Sequence, residues 1–196
     1  MKGIFFAISG PSGVGKGTLI AKFKQEFPRF VFPISHTTRE RRPEETDGQT
    51  YNFISVFDFQ REIEEGNFFE WAIVHEKNYY GTLKKPIMGA LEEGEIVMRE
   101  VDMQGIASFR KILAPENLVT IFIYPEKFEL LRLRIEKRGK LPEEEIQRRL
   151  KSAQYEIELG KECDYQILSM ENGIEECYNE LKKIIVAEAT KVGINV

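Results

Sequence analysis

Apolar residues fall along this chain in two rhythms. Residues 2–9 form a short run rich in Ile, Phe and Ala, long enough for one buried strand, and the run stops at Gly10-Pro11-Ser12-Gly13. Beyond the glycines, Leu19, Ile20, Phe23 and Phe27 recur on one face of a helix that begins near Lys16. Strand-like runs return at 68–74, 95–102, 118–124 and 165–168. Helical periodicity covers 86–93, 103–113, 127–137, 142–159 and 173–189. Strands alternating with helices of this length predict a parallel sheet flanked by helices.

Two stretches break the rhythm. Residues 33–82 are rich in charge, tyrosine and turn formers, so their short strands need not join the main sheet, and they read as an insert carrying a ligand site. The region around 138–149 is a second polar insert. Gly139 ends one helix there, and Pro142 followed by Glu143-Glu144-Glu145 opens the next in the order that the helix dipole favours.

Composition narrows the class. With 42% hydrophobic and 31% charged residues the chain reads as globular and soluble. No apolar run approaches the ~20 residues that span a bilayer. The start of the chain superficially suggests a signal peptide, but a single Lys and a short apolar run leading straight into glycines fit a buried first strand better. Two cysteines, Cys163 and Cys177, lack metal-ligand spacing, so a reduced, cytoplasmic protein is expected. A net charge of −4 argues against broad nucleic-acid binding, while leaving room for a local arginine cluster that attracts a phosphate.

The strongest chemical signal is Gly10-Pro11-Ser12-Gly13-Val14-Gly15-Lys16-Gly17-Thr18, lying between the first strand and the first helix. That is the context of a phosphate-binding loop. Glycines let backbone N–H groups turn inward around phosphates, the helix N-terminus adds its dipole, and Lys16 supplies a mobile charge. An ordinary glycine turn joining strand to helix is the plainer alternative. The position after Lys16 is Gly17, and the hydroxyl comes one residue later at Thr18, which puts a direct hydroxyl ligand to Mg²⁺ in question. Asp102 ends the 95–102 run, where a carboxylate either reaches a metal's water shell or caps the strand end. Glu100 alternates with it and shares its side.

The run from Ser35 to Phe53 is the most distinctive in the chain. Arg39, Arg41 and Arg42 lie within four residues, and Tyr51 stands nine beyond the last of them. Guanidinium forks and a phenol suit a terminal phosphate, although an arginine cluster on its own is more often a solvated loop. Together with the glycine loop, this run resembles the guanylate kinase signature. Phe69-Glu70-Trp71-Ala72, Asn78-Tyr79-Tyr80-Gly81-Thr82, Val101-Asp102-Met103-Gln104-Gly105 and residues 134–154 match further motifs of that family in order.

The resemblance implies a three-layer α/β fold. A P-loop NTPase core with a parallel sheet (1–32, 83–137 and 153–190) would carry a small mixed α/β GMP-binding insert (33–82) and a short helical lid (138–152). It implies ATP with Mg²⁺ as phosphoryl donor, and GMP, with dGMP beside it, as acceptor. Arg39, Arg42, Tyr51 and Tyr80 match ligands of the acceptor phosphate, and Ser35, Glu70 and Thr82 match those of guanine. Glu45 and Asp102 match acidic positions of the acceptor pocket, and Asp102 with Thr18 is expected to meet the metal through water. Arg134, Arg138 and Arg149 match arginines that the lid brings onto the ATP phosphates beside Lys16.

Three departures stand against the family pattern: Glu44 in place of a glycine, Gly139-Lys140-Leu141-Pro142 at the lid, and Ser169 where an asparagine tends to lie beside adenine. Gly17 departs from the general phosphate-loop pattern but resembles the variant of some bacterial members of the family. No nucleic-acid or membrane partner is expected, and the chain is read as a monomer or small homo-oligomer. Two rivals remain: a kinase of another phosphorylated acceptor, and a silent module that recognises a phosphorylated protein. Ser35 and Glu70 oppose the first, and the intact phosphate loop opposes the second.

Overall fold

The computed structural model describes residues 2–74, 77–137 and 142–196. The first strand, β1 (Ile4–Ser9), is buried along its whole length and leads through the glycine loop into α1 (Lys16–Glu26). Next come β2 (His36–Thr37), β3 (Asn52–Phe53), α2 (Val56–Glu64), β4 (Phe68–Val74) and β5 (Asn78–Leu83). The chain then runs through α3 (Lys84–Glu93), β6 (Ile96–Glu100), α4 (Met103–Ile112) and β7 (Leu118–Pro125). It ends with α5 (Phe128–Lys137), α6 (Glu143–Gly160), β8 (Tyr165–Ser169) and α7 (Ile174–Lys191).

The main sheet has the order β6-β1-β7-β8, and every pair in it is parallel. Alternation along β1 sets the layers. Ile4, Phe6 and Ile8 pack with Leu19 and Phe23 of α1, Leu131 of α5, Ala153 of α6 and Leu181 of α7. Phe5 and Ala7 point the other way, into a core with Ile87 and Leu91 of α3 and Ile106 and Phe109 of α4. Helices therefore cover both faces, which is the three-layer arrangement expected of a buried parallel sheet. The sheet also separates the two thiols. Cys177 lies in the first core and Cys163 in the second, both buried and unpaired.

The run at 68–74 forms its strand as expected, but within a second, mixed sheet of order β3-β2-β5-β4. Helix α2 and strand β5, which the hydrophobic pattern leaves unmarked, complete this insert. Ser55 caps α2 by accepting from the Asp58 N–H at 3.0 Å, and Phe59 buries its inner face against Phe68, with ring centroids 4.3 Å apart. A register shift between Phe68 and Glu70 puts one extra residue into β4 against β5. Phe69 is that residue, and its ring stacks on Phe109 (4.4 Å), which stacks in turn on Phe5 (4.6 Å). Three aromatic rings thus join the insert to α4 and the central strand. Gly139 and Arg138, read as a helix end and a lid arginine, lie outside the described residues. Pro142 does stand just ahead of α6, with three glutamates in the first turn.

Close packing gives two glycine substitutions opposite signs. A Cβ on Gly160 would meet Cδ1 and Cδ2 of Phe122 at 2.5 Å, whereas a Cβ on Gly89, inside α3, meets nothing within 4 Å. Gly160→Ala is expected to destabilise by about 1–3 kcal/mol and Gly89→Ala to stabilise by about 0.5–1 kcal/mol. Urea midpoints of the two variants check this, and a common direction of change contradicts the packing described.

Candidate active site

The loop between β1 and α1 takes its shape from glycine. Gly10, Gly13 and Gly15 sit at φ values of 144°, 91° and 111°, in the left-handed region that other residues avoid. The buried Lys16 side chain folds back across the loop, where Nζ donates to the carbonyls of Gly10 and Pro11 and stands 3.4 Å from Glu100 Oε1. Glu100 ends β6, and Asp102 caps α4 by accepting from the Gly105 N–H at 2.6 Å. The cap reading of Asp102 is therefore realised, and its carboxylate still borders the cleft. That cleft, of ≈ 320 Å³, is also lined by Ser12, Gly17, Lys16, Glu100 and Glu156.

On the other side of the loop a cleft of ≈ 500 Å³ lies between Gly13, Val14, Gly15 and Thr18 and the segment from Ser169 to Asn172. Arg134 of α5 closes one end, donating to the carbonyls of Met170 (3.1 Å) and Glu171 (3.3 Å). Ser169 is buried and donates to Val14 O at 3.0 Å, so its hydroxyl serves the loop. Asn172 is the amide side chain that borders the cleft, three residues beyond. Arg149 pairs with Glu145 on its own helix at 2.8 Å and borders neither cleft.

A hydrated Mg²⁺ fits the donors present. Among the described residues no group of three His, Cys, Asp or Glu side chains could enclose a metal ion. Asp102 and Glu100 offer hard oxygens at the cleft over Lys16, while Thr18 borders the neighbouring cleft. Such a set suits a cation that keeps most of its waters.

The insert gathers the second half of the site. Arg39 donates to Glu45 Oε1 at 2.6 Å and to the Tyr80 hydroxyl at 3.2 Å, and its guanidinium lies 5.7 Å from the Tyr51 ring centre. Tyr51 and Tyr80 meet edge to face at 5.6 Å. Glu45 is buried and accepts the Arg42 backbone N–H at 2.9 Å, so the loop's own carboxylate spaces the two arginines. The hydrogen bond from Arg39, followed by that from Arg42, holds the Glu45 carboxyl below the usual range. The Arg42 side chain is exposed, with no hydrogen-bond partner among the described residues. Arg41 turns to Glu45 O at 2.6 Å.

Glu70 stands opposite Thr82 in the β4–β5 register, and the Thr82 hydroxyl donates to Glu70 Oε1. Arg99 of β6 reaches the same oxygen at 3.3 Å and Ser35 Oγ at 3.0 Å. The three residues matched to guanine therefore converge, although they come from three separate segments. Burial raises the Glu70 carboxyl above its ordinary range, against the lowering effect of Thr82 and Arg99. Three residues escaped the sequence reading: Arg99, Glu156 and Asn172. Arg99 did leave a signal, because a lone cation after Ile96-Val97-Met98 in a buried strand requires a carboxylate from elsewhere.

A parallel sheet with a glycine loop at the carboxyl end of β1, a lysine folded over it and an arginine–tyrosine cluster in a neighbouring insert defines a P-loop phosphotransferase. The sequence profile described as guanylate kinase matches residues 4–188, and the chain belongs to that family. A guanylate kinase of Maricaulis maris is 41% identical over 190 residues, covering 97% of this chain and 85% of its own. A guanylate kinase of Carboxydothermus hydrogenoformans is 40% identical over 191 residues, covering 97% and 91%. The crystal structure of guanylate kinase from Anaplasma phagocytophilum superposes with a TM-score of 0.70 at 30% identity, covering 95% of this chain and 86% of that one.

Glu45 and Glu70 of the insert differ in environment and are expected to titrate in a fixed order. As pH falls, Glu70 takes up its proton first and Glu45 stays charged well below that point. Carboxyl ¹³C shifts followed through an acid titration of the free protein check this. Glu45 protonating with or before Glu70 contradicts the environments assigned to them.

Proposed function

We propose that the protein transfers the γ-phosphoryl group of ATP to GMP, giving ADP and GDP. The observation that carries this reading is the convergence of Ser35, Glu70 and Thr82 in the same insert as the Arg39–Tyr51–Tyr80 cluster. A carboxylate beside two hydroxyls suits guanine, whose N1–H and 2-amino group are adjacent donors. The arginines and phenols suit the acceptor phosphate.

The loop amides and Lys16 hold the β- and γ-phosphates of ATP, and the adenine lies toward Asn172. Arg134 neutralises charge on the donor from the side of α5, with Arg138 and Arg149 as its partners in the lid over 138–152. The phosphate of GMP is already anionic, so its oxygen attacks the γ-phosphorus in line without a protein base. Catalysis is then positioning and charge neutralisation. When bound, Mg²⁺ would supply further neutralisation of the phosphates, and Asp102 is the residue of the cleft over Lys16 that would hold its water shell. Thr18, also matched to the metal shell, borders the cleft on the other side of the loop. Residues 33–82 form the acceptor insert, 138–152 the lid, and 1–32, 83–137 and 153–190 the core. The family resemblance adds dGMP as an acceptor beside GMP. The protein is assigned to the cytoplasm as a monomer or small homo-oligomer without nucleic-acid or membrane partners. Two buried free thiols and the net charge of −4 support this. None of its described helices is long and apolar enough to cross a membrane.

Coupled measurement of ADP formation with GMP, AMP, UMP or no acceptor tests the reading, and turnover is expected with GMP alone. Lys16→Ala is expected to lower kcat by roughly 10²- to 10³-fold, because its charge serves the transferred group most strongly in the transition state. Arg39→Ala is expected to raise KM for GMP roughly tenfold while ATP-analogue affinity stays at the parent value. Loss of ATP affinity alone in that variant overturns the two-site map.

A further inference from the structure

One buried charge has no part in the reaction as described. Arg99 stands one residue before the end of β6, on the face shared with Val97 and Val101, and its side chain is 13% exposed. Its backbone pairs with Ala7 at the centre of the main sheet. The Nη2 atom donates to Ser35 Oγ at 3.0 Å and to Glu70 Oε1 at 3.3 Å, and Nη1 donates to Pro33 O at 3.3 Å. A single nitrogen of the core sheet thus joins the two ends of the base pocket.

We propose that Arg99 is a specificity-determining positioning residue that fixes the donor–acceptor polarity of the base pocket, setting Ser35 as donor and Glu70 as ionised acceptor side by side. The inference rests on the guanylate reading and deepens it.

Hydrogen accounting carries the case. A guanidinium only donates, and Nη2 has two hydrogens, one for each of these contacts. Ser35 Oγ therefore accepts from a cation on one of its lone pairs, which polarises its own O–H and makes donation the favoured contact with a ligand. Glu70 Oε1 takes the Thr82 hydroxyl as well as Arg99, which leaves Oε2 to accept. The pocket consequently reads positive and donating at Ser35, negative and accepting at Glu70. Guanine presents the matching order, O6 as acceptor next to N1–H as donor. Adenine presents the reverse, so its bare N1 meets the Glu70 carboxylate lone pair to lone pair and its 6-amino donor meets a hydroxyl already polarised to donate.

Without the guanidinium, the Ser35 hydroxyl is equally able to donate to a carbonyl or to accept from an amine. Glu70 also loses its cation. The charged and titratable groups acting on Glu70 are Arg99 from β6 and Asp102 at the start of α4, with the Thr82 hydroxyl from β5, and only Arg99 is positive. Arg99 is itself held charged by Glu70, Glu100 and Tyr51 against the cost of its burial. The pair is thus mutually dependent, and removing either member changes what the other presents.

The experiment compares the parent with Arg99→Met, Arg99→Lys, Glu70→Gln and the Arg99→Met/Glu70→Gln double variant. The readouts are kcat and KM for GMP, IMP and AMP, together with calorimetric affinities for GMP, AMP and an ATP analogue. Arg99→Met is expected to raise KM for GMP and IMP by roughly 10- to 100-fold, as loss of a charged hydrogen bond implies. AMP use and ATP-analogue affinity should stay near the parent values, so the GMP-to-AMP ratio narrows by the same factor. Arg99→Lys keeps the charge without the fork and is expected to fall between the two. The double variant should lose less than the product of the single losses, because the residues act through one another.

Equal falls for GMP and AMP, joint loss of ATP-analogue affinity, or multiplicative losses in the double variant would each reduce Arg99 to a packing residue and overturn the proposal. If Arg99→Met does not fold, Arg99→Lys decides, and unchanged discrimination by it overturns the proposal too. A parent that binds GMP over AMP without phosphorylating it sinks the guanylate kinase reading alone. In that case the calorimetric GMP-to-AMP ratio still tests Arg99.

Discussion

Two phosphate-bearing molecules repel one another, and a protein that brings them into contact has to supply positive charge at the meeting point. This chain does so with a net charge of −4. Its solution is local pairing. Lys16 stands by Glu100 and Arg39 by Glu45. Each cation is thereby fixed in place without a large like-charge field across the folded molecule. Arg42, whose side chain has no such partner among the described residues, is the exposed member of the set.

Charge alone does not set the distance between donor and acceptor; packing does. Phe69 is turned into the core by the extra residue in β4, while its neighbour Glu70 stays opposite Thr82. The stack from Phe69 through Phe109 to Phe5 places the acceptor pocket relative to the strand that delivers the glycine loop. Asp102 caps the same helix that carries Phe109, and Glu100 and Arg99 immediately precede it in β6. Arg99, Glu100, Asp102 and Phe109 therefore belong to one short piece of chain, 99–109, which meets the insert through the aromatic stack and the Arg99 hydrogen bonds.

The parts of this architecture that were legible in the sequence are those decided locally. A buried strand running into glycines needs no partner to be recognised, and the helices after 83 announce themselves through their own periodicity. The insert hid more. Strands β2 and β3 are two residues each, too short for alternation to register, and four of the six residues of β5 are tyrosines or turn formers. The family resemblance supplied Ser35, Glu70 and Thr82 by position, and the geometry brings them together. Arg99 required knowledge of which carboxylate crosses to β6, which is a tertiary fact. Ser169 stands where the family tends to place an asparagine; its hydroxyl donates to Val14 O, and both it and Asn172 border the cleft.

The sheet that divides the core also gives the molecule a chemical clock. Cys177 is 1% exposed, and burial pushes its thiol up to about 11. At neutral pH only about one thiol in ten thousand is then in the reactive thiolate form, against a few per cent for a free cysteine. Cys163, on the opposite face of the sheet, is likewise shielded and raised by burial. Alkylation of either thiol must therefore wait for the layer above it to open. Because the two lie in different layers, their separate labelling rates report the opening of each side of the sheet. The chain thus carries, without engineering, a pair of independent probes for the order in which its two cores come apart.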